Sequence, residues 1–326
     1  MKNTLNKLFT IAAAAFLLSS CEDNAIPVRT DYVSDGALVK LYNHVEGSGN
    51  VNYYLNDQRI TANTALANGA LRGLAFGSTF PSTYGYANVP AGSFNLIVRD
   101  TATMTPDTFN DTAKLAVNNC KPVTWKALAS PYNKIAEKAV TLDRGASYTA
   151  ILVGTPVVMG TRKTVPATDT SPEIPGNCGQ IVTPATYELL FTRDNLPAPD
   201  FSKVYFRFAH NLANAPYNFD VVATRAAKAA SGTTPAVEKV ETVIATNIGF
   251  KEFGQYVEVP LGDYNVDFYK AGTWGTAAPV KYYTYTSSSG ATTITSIALG
   301  RVYTFFLRGT HNNAPRAANV DYWRER

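Results

Sequence analysis

A Val-Pro-x-Gly turn leading into an aromatic strand occurs twice in this chain, as Val89-Pro90-Ala91-Gly92-Ser93-Phe94-Asn95 and as Val259-Pro260-Leu261-Gly262-Asp263-Tyr264-Asn265. A repeat of this length restricts the fold to two copies of one supersecondary unit. Proline ends a strand without needing a ladder donor, and glycine permits the positive backbone angle of a tight turn, so each element reads as a hairpin. Other pairs keep the same order. Leu74-Ala75-Phe76 matches Ile248-Gly249-Phe250, and Asn43-His44 matches Ala209-His210. Pro122-Val123-Thr124-Trp125 matches Pro279-Val280-Lys281-Tyr282, and Leu142-Asp143-Arg144 matches Leu299-Gly300-Arg301.

Within each copy the apolar residues alternate. Tyr264, Val266 and Phe268 fall on one face and Asn265, Asp267 and Tyr269 on the other. Val204, Phe206 and Phe208 alternate likewise with Tyr205, Arg207 and Ala209, the pattern of half-buried strands. Helical periodicity is scarce: residues 223–230 have good helix propensity, but Gly232 and Pro235 limit them to a short helix or an ordered loop. Aromatic residues make up 12% and charged residues only 17%, a balance that suits strands. The expected fold is therefore all-β: two tandem antiparallel β-sandwich domains. The proline-rich stretch Asn195-Leu196-Pro197-Ala198-Pro199-Asp200 cannot continue a ladder and places the boundary. Residues 35–195 then form the first module, with long polar insertions at 100–120 and 161–186, and residues 200–326 form the second.

The first twenty residues carry Lys2 and Lys7, an apolar run and then Ser19 and Ser20, the order of a secretory signal peptide. The apolar run is too short to span a bilayer comfortably. Leu18-Ser19-Ser20-Cys21 resembles the bacterial lipobox, which implies lipidation of Cys21 and a tether over residues 21–34. Two or three acyl chains hold a protein stably on a membrane. Glu22 and Asp23 resemble the export signal of surface lipoproteins in the Bacteroidota, so the expected location is the outer membrane, facing the cell surface. Removing the leader lowers the net charge from +4 to +2, with lysine and arginine scattered rather than striped, which argues against nucleic acid. Cys120 and Cys178 would meet an oxidising compartment. Either they form a disulfide, worth about 4 kcal/mol in the chain-entropy model, or they stay free thiols in loops.

The repeated unit, a strand entering Asn43-His44 or Ala209-His210, then Leu74-Ala75-Phe76-Gly77, then Val-Pro-x-Gly and an aromatic strand, resembles the domain of unknown function 4397, present as two tandem copies. That resemblance implies immunoglobulin-like or transthyretin-like sandwiches and a secreted or surface location. It implies no enzymatic activity and supplies no functional residues to transfer.

Catalysis needs a constellation of groups, and the histidines number three: His44, His210 and His311. None stands beside a nucleophile motif, and there is no Gly-x-Ser-x-Gly, no His-Glu-x-x-His and no phosphate-cradling glycine loop. His44 and His210 read as strand-end caps. Asp100, Asp107 and Asp111 lack the glycine turn of a calcium loop and read as a solvated segment. No enzyme, cofactor or metal is expected. Tyr84 and Tyr86, or Tyr282, Tyr283 and Tyr285, are the aromatic sets able to present rings to an extracellular glycan, peptide or protein. The leading expectation is a non-catalytic binding or adhesion module. A structural or accessory subunit of an outer-membrane assembly is the alternative, and a hydrolase with an unrecognised site is a second.

Overall fold

The structure, a computed structural model, describes residues 35–46, 49–61, 73–82, 85–101, 104–107, 124–127, 132–155, 158–159, 181–183, 186–233, 235–311 and 318–326. Cys21, Cys120, Cys178, Tyr84 and Asp111 lie outside them. The first module begins with β1 (Ala37–Asn43), β2 (Val51–Leu55), β3 (Gln58–Arg59), β4 (Thr79–Phe80), β5 (Ala87–Val89) and β6 (Gly92–Asp100). It continues with β7 (Met104–Asp107), β8 (Thr124–Ala127), β9 (Lys134–Leu142), β10 (Ser147–Val153), β11 (Val158–Met159), β12 (Ile181–Thr183) and β13 (Glu188–Arg193). The second contains β14 (Val204–Ala213), β15 (Phe219–Arg225), β16 (Val240–Ile248), β17 (Val257–Val259), β18 (Tyr264–Lys270), β19 (Lys281–Thr284), β20 (Arg301–Thr310) and β21 (Asn319–Arg324).

Four sheets pair into two sandwiches. In the first module, β13-β10-β1-β4, with β5 also on β1, faces β3-β2-β6-β9. They enclose one core that includes Val39, Leu41, Tyr53, Leu96, Val98, Val140, Tyr148 and Leu152. In the second, β17-β14-β20-β21 faces β16-β15-β18-β19 over Phe206, Phe208, Phe219, Tyr264, Phe268 and Phe305. The alternation creates these cores: every second residue of β14 points between its own two sheets. One sheet of each sandwich is mixed, because β1 runs parallel to β10 and β14 parallel to β20, while the sheet facing it is antiparallel throughout. Residues 223–230 form no helix; Ala223 to Arg225 complete β15 and the chain then runs as loop.

The pairing register fixes the repeat more closely than residue identity does. Ala37 faces Val89 and Val204 faces Val259, so Asn43 corresponds to His210, and His44 to Asn211. Asn43 exchanges backbone hydrogen bonds with Gly77 and Ser78, and His210 does the same with Lys251 and Glu252. Gly77 and Lys251 share a positive φ of 75° and 74°. The sequence match of His44 with His210 is thus displaced by one residue, and in a strand one residue changes the face. A second match is displaced by two. Gly145 donates to Gly36 O as Gly300 does to Lys203 O, so Leu142 corresponds to Ile297 rather than Leu299. Tyr148 and Tyr303 mark the same point, their hydroxyls accepting the N–H of Asp143 and Ala298.

The glycines of the two Val-Pro-x-Gly turns also differ. Gly92 has φ +142°, whereas Gly262 has no positive φ and is kept small by Arg225, whose Cγ and Cδ would lie 2.6 Å from an added Cβ.

Candidate functional site

The two modules pack through the outer faces of β1 and β14, the face that alternation assigns to solvent. Tyr42, Ile151 and Val153 of the first module meet Ala209 and Phe306 of the second in a separate buried cluster, with Leu190, Phe253 and Trp323 around it. Beside it lies a charge network built twice over. Lys40 and Arg207 hold corresponding positions, and both are buried, at 0% and 4% exposure. Lys40 faces Thr149 across β10 and Arg207 faces Thr304 across β20. Asp194 and Glu325 follow β13 and β21 at matching places, and Tyr86 and Tyr256 each lie three residues before the Val-Pro dipeptide.

Arg207 binds both acids. Its Nη1 donates to Asp194 Oδ1 at 2.6 Å, its Nη2 to Glu325 Oε1 at 3.1 Å, and its Nε to Thr304 Oγ1 at 3.1 Å. The Tyr256 ring lies 4.5 Å under the guanidinium, and its hydroxyl donates to Glu325. Tyr86 donates to Glu325 and stands 3.1 Å from Asp194 Oδ2, while Thr149 donates to Asp194 at 2.6 Å. Lys40 Nζ reaches Gly85 O at 3.0 Å and Arg324 O at 3.5 Å. Burial pushes the Asp194 carboxyl up to about 6, with the charge of Glu325 adding and Arg207 opposing. Glu325 is pushed up by burial, but the Arg207 charge and the hydrogen bonds of Tyr86 and Thr304 outweigh it and hold the group below its ordinary value. Burial also lowers Lys40 to about 8. Burying such a network contributes little net stability over an apolar seam, whereas removing one partner from it is strongly destabilising.

Nothing in the strand pattern distinguishes these cations from solvent-facing ones. The available signal was the repeat itself: Tyr86-x-x-Val89-Pro90 and Tyr256-x-x-Val259-Pro260 carry the same tyrosine.

The other candidate tyrosines, Tyr282, Tyr283 and Tyr285, lie in the second module. Tyr282 packs tilted against Phe219 and edge-to-face against Tyr217, and its hydroxyl lies 2.6 Å from His311 Nδ1. Tyr283 packs against Phe268, and Tyr285 is buried against Tyr322. Tyr283 and Tyr285 line an open groove of about 690 Å³ along the edge of the second sandwich. Its other walls include Tyr322, Trp323, Asn319, Ser287, Ser288 and the ion pair of Arg308 with Asp321. His44 and His210 face opposite ways, as the corrected register requires. His44 lies between the modules with Nδ1 3.0 Å from Asn211 Nδ2, while His210 lies inside the second sandwich and accepts the Leu212 N–H. Burial, reinforced by Arg308, lowers His44 well below its ordinary value, and burial brings His210 down to about 4. Asp100 Oδ1 accepts the Asn133 N–H, closing the base of the first insertion. Among the described residues no group of three or more His, Cys, Asp or Glu is placed to hold a metal ion.

No family model matches the chain. No curated protein matches it either. Among solved structures it is similar to a Bacteroides ovatus ATCC 8483 protein described as a putative cell adhesion protein, at 12% identity over 87% of this chain and 95% of that one, with a TM-score of 0.21. A Bacteroides uniformis ATCC 8492 protein described in the same words is 11% identical over 89% of this chain and 98% of that one, with a TM-score of 0.18.

Proposed function

We propose that this chain is a non-catalytic binding and adhesion module, held on the outer membrane through a lipid at Cys21 and facing outward, which takes an extracellular glycan or peptide in the groove of its second sandwich. The groove carries this reading. Its volume of about 690 Å³ lies in the range typical of small-ligand sites, roughly 300–1,000 Å³. Aromatic walls beside amide and hydroxyl groups suit a sugar or a short peptide. The two charged groups at its wall, Arg308 and Asp321, are paired with each other, with Nη2 3.0 Å from Oδ1, and so serve as fixed polar contacts rather than a free acid or base.

An array of glycans and extracellular-matrix proteins probed with the full chain tests the reading. Ser288→Trp, at an exposed lining position, is expected to block the groove without touching the core, and Tyr283→Ala to remove an aromatic wall. Selective binding lost in both variants supports it. A folded protein that binds nothing on the array, or binding indifferent to both changes, overturns it.

A further inference from the structure

The two modules lie side by side with matching ends together. At one end Arg326 donates to Pro197 O and Ala198 O of the linker at 2.8 and 3.3 Å. In the middle Arg207 meets Asp194. At the other end His44 meets Asn211, and Lys251 pairs with Glu188. Both β1 and β14 therefore start at the first end, which also holds Asp35, the two Val-Pro-x-Gly turns and Gly300. The first insertion leaves from the far end, where Asp100 faces Val51 and Thr101 bonds to Asn50. The second leaves there as well, where Val153 faces Glu188.

Five large apolar side chains are exposed among the described residues, and three of them collect at the first end: Phe201 at 85%, Leu261 at 47% and Leu299 at 44%. Phe201 lies against the Gly300 backbone, beside Leu299, and Leu261 tips the neighbouring turn. Single exposed apolar residues are ordinary, but a cluster at one end of a molecule points to a contact. The chain indicates which contact. Residues 21–34 join the fold at Asp35, at this same end, and fourteen residues reach at most about 50 Å when fully extended. Four ion pairs neutralise much of the charge at this end: Lys203 with Glu258 at 2.9 Å, Arg193 with Asp143 at 3.0 Å, Lys228 with Asp263 at 2.7 Å, and Arg144 with Asp35.

We propose that this end rests on the membrane, with Phe201, Leu261 and Leu299 seated at the boundary between lipid headgroups and acyl chains. The inference rests on lipidation of Cys21. Burial of apolar tips in that boundary adds to the hold of the acyl chains, and apolar seating of this kind does not require anionic lipid. The bases of both insertions and the Tyr282–His311 pair then lie at the end away from the bilayer.

The test uses the full lipidated chain in phosphatidylcholine vesicles, with Phe201→Trp as reporter and the parent protein, with Trp125, Trp274 and Trp323, as baseline. Lipids brominated near the headgroup end of their chains are expected to quench most of the added emission. They should leave the emission of Val280→Trp, exposed at the far end, unchanged. High salt or added phosphatidylglycerol should alter neither result. Flotation with the vesicles but no quenching of Phe201→Trp overturns the inference and leaves the anchor standing. Absence of acyl mass on Cys21 overturns both. A blue-shifted, unquenched Phe201→Trp that keeps its shift in detergent assigns the end to a second copy of the chain and overturns the lipid contact. Quenching seen only with anionic lipid and abolished by salt also overturns the apolar seating.

Discussion

Arg207 is the residue on which the inter-module geometry turns, because two buried carboxylates converge on it. Arg207→Met would leave Asp194 and Glu325 facing each other without their cation, and a loss of about 3–5 kcal/mol is expected in urea unfolding. Adding Glu325→Gln leaves one acid and Lys40, and should recover part of that loss. Tryptophan emission from Trp323, in the same interface, gives the readout. His210 responds to pH in a defined direction. Its imidazole is held neutral in the fold, at about 4 against an ordinary 6.5, so its contribution is complete above pH 6.5 and is lost as pH falls through about 4. The full loss is up to about 3 kcal/mol. Asp194, raised to about 6, acts oppositely: its contribution is complete below its ordinary 3.8 and lost as pH rises through about 6. His210→Asn, which installs the residue found at the corresponding position of the first module, should remove the histidine part alone. Unfolding free energies of parent and variant at several pH values between 4 and 7 separate the two, and a constant difference would contradict the assignment.

At the scale of elements, the Val-Pro-x-Gly turns share a sequence but not a reason for their glycine. Gly92→Ala forces a side chain into φ +142° and is expected to cost about 1–3 kcal/mol. Gly262→Ala displaces only the flexible Arg225 chain, which loses its bond to Glu238 O, and should stay within about 1 kcal/mol. Thermal unfolding of the two variants side by side decides it. The strands themselves were legible: the alternation of Val204, Phe206 and Phe208 describes the face that β14 buries in its own sandwich. The opposite face was not, since Arg207 among Tyr205 and Ala209 reads as solvent-facing until a second sheet covers it. The repeat was legible in outline and displaced in detail, because matching by residue type favours His44 with His210, whereas hydrogen bonding makes Asn43 the counterpart. The parallel pairing of β1 with β10 was also hidden, since alternation carries no strand direction. Of the groove, Tyr283 and Tyr285 could be singled out from sequence, but Asn319, Tyr322 and Trp323 come from β21, which only the fold brings beside them.

For the molecule as a whole, the interface removes Lys40, Tyr42, Arg207, Ala209 and Phe306 from water, so each module alone would expose a face built for burial. A single cooperative unfolding transition is expected, with calorimetric and van't Hoff enthalpies equal. Two resolved transitions would show that the modules hold together only through their linker. The second insertion is closed at its base by its own bonds: Thr186 N–H donates to Thr155 O at 3.1 Å, Thr155 N–H donates to Thr186 Oγ1 at 3.0 Å, and β11 pairs with β12 just beyond. A base clamped this way fixes where both ends of the insertion leave the sheet. With the chain anchored as proposed, foreign peptides grafted between Met159 and Ile181 would leave the fold at the end opposite Asp35, and the chain would serve as a frame for presenting sequences away from a membrane.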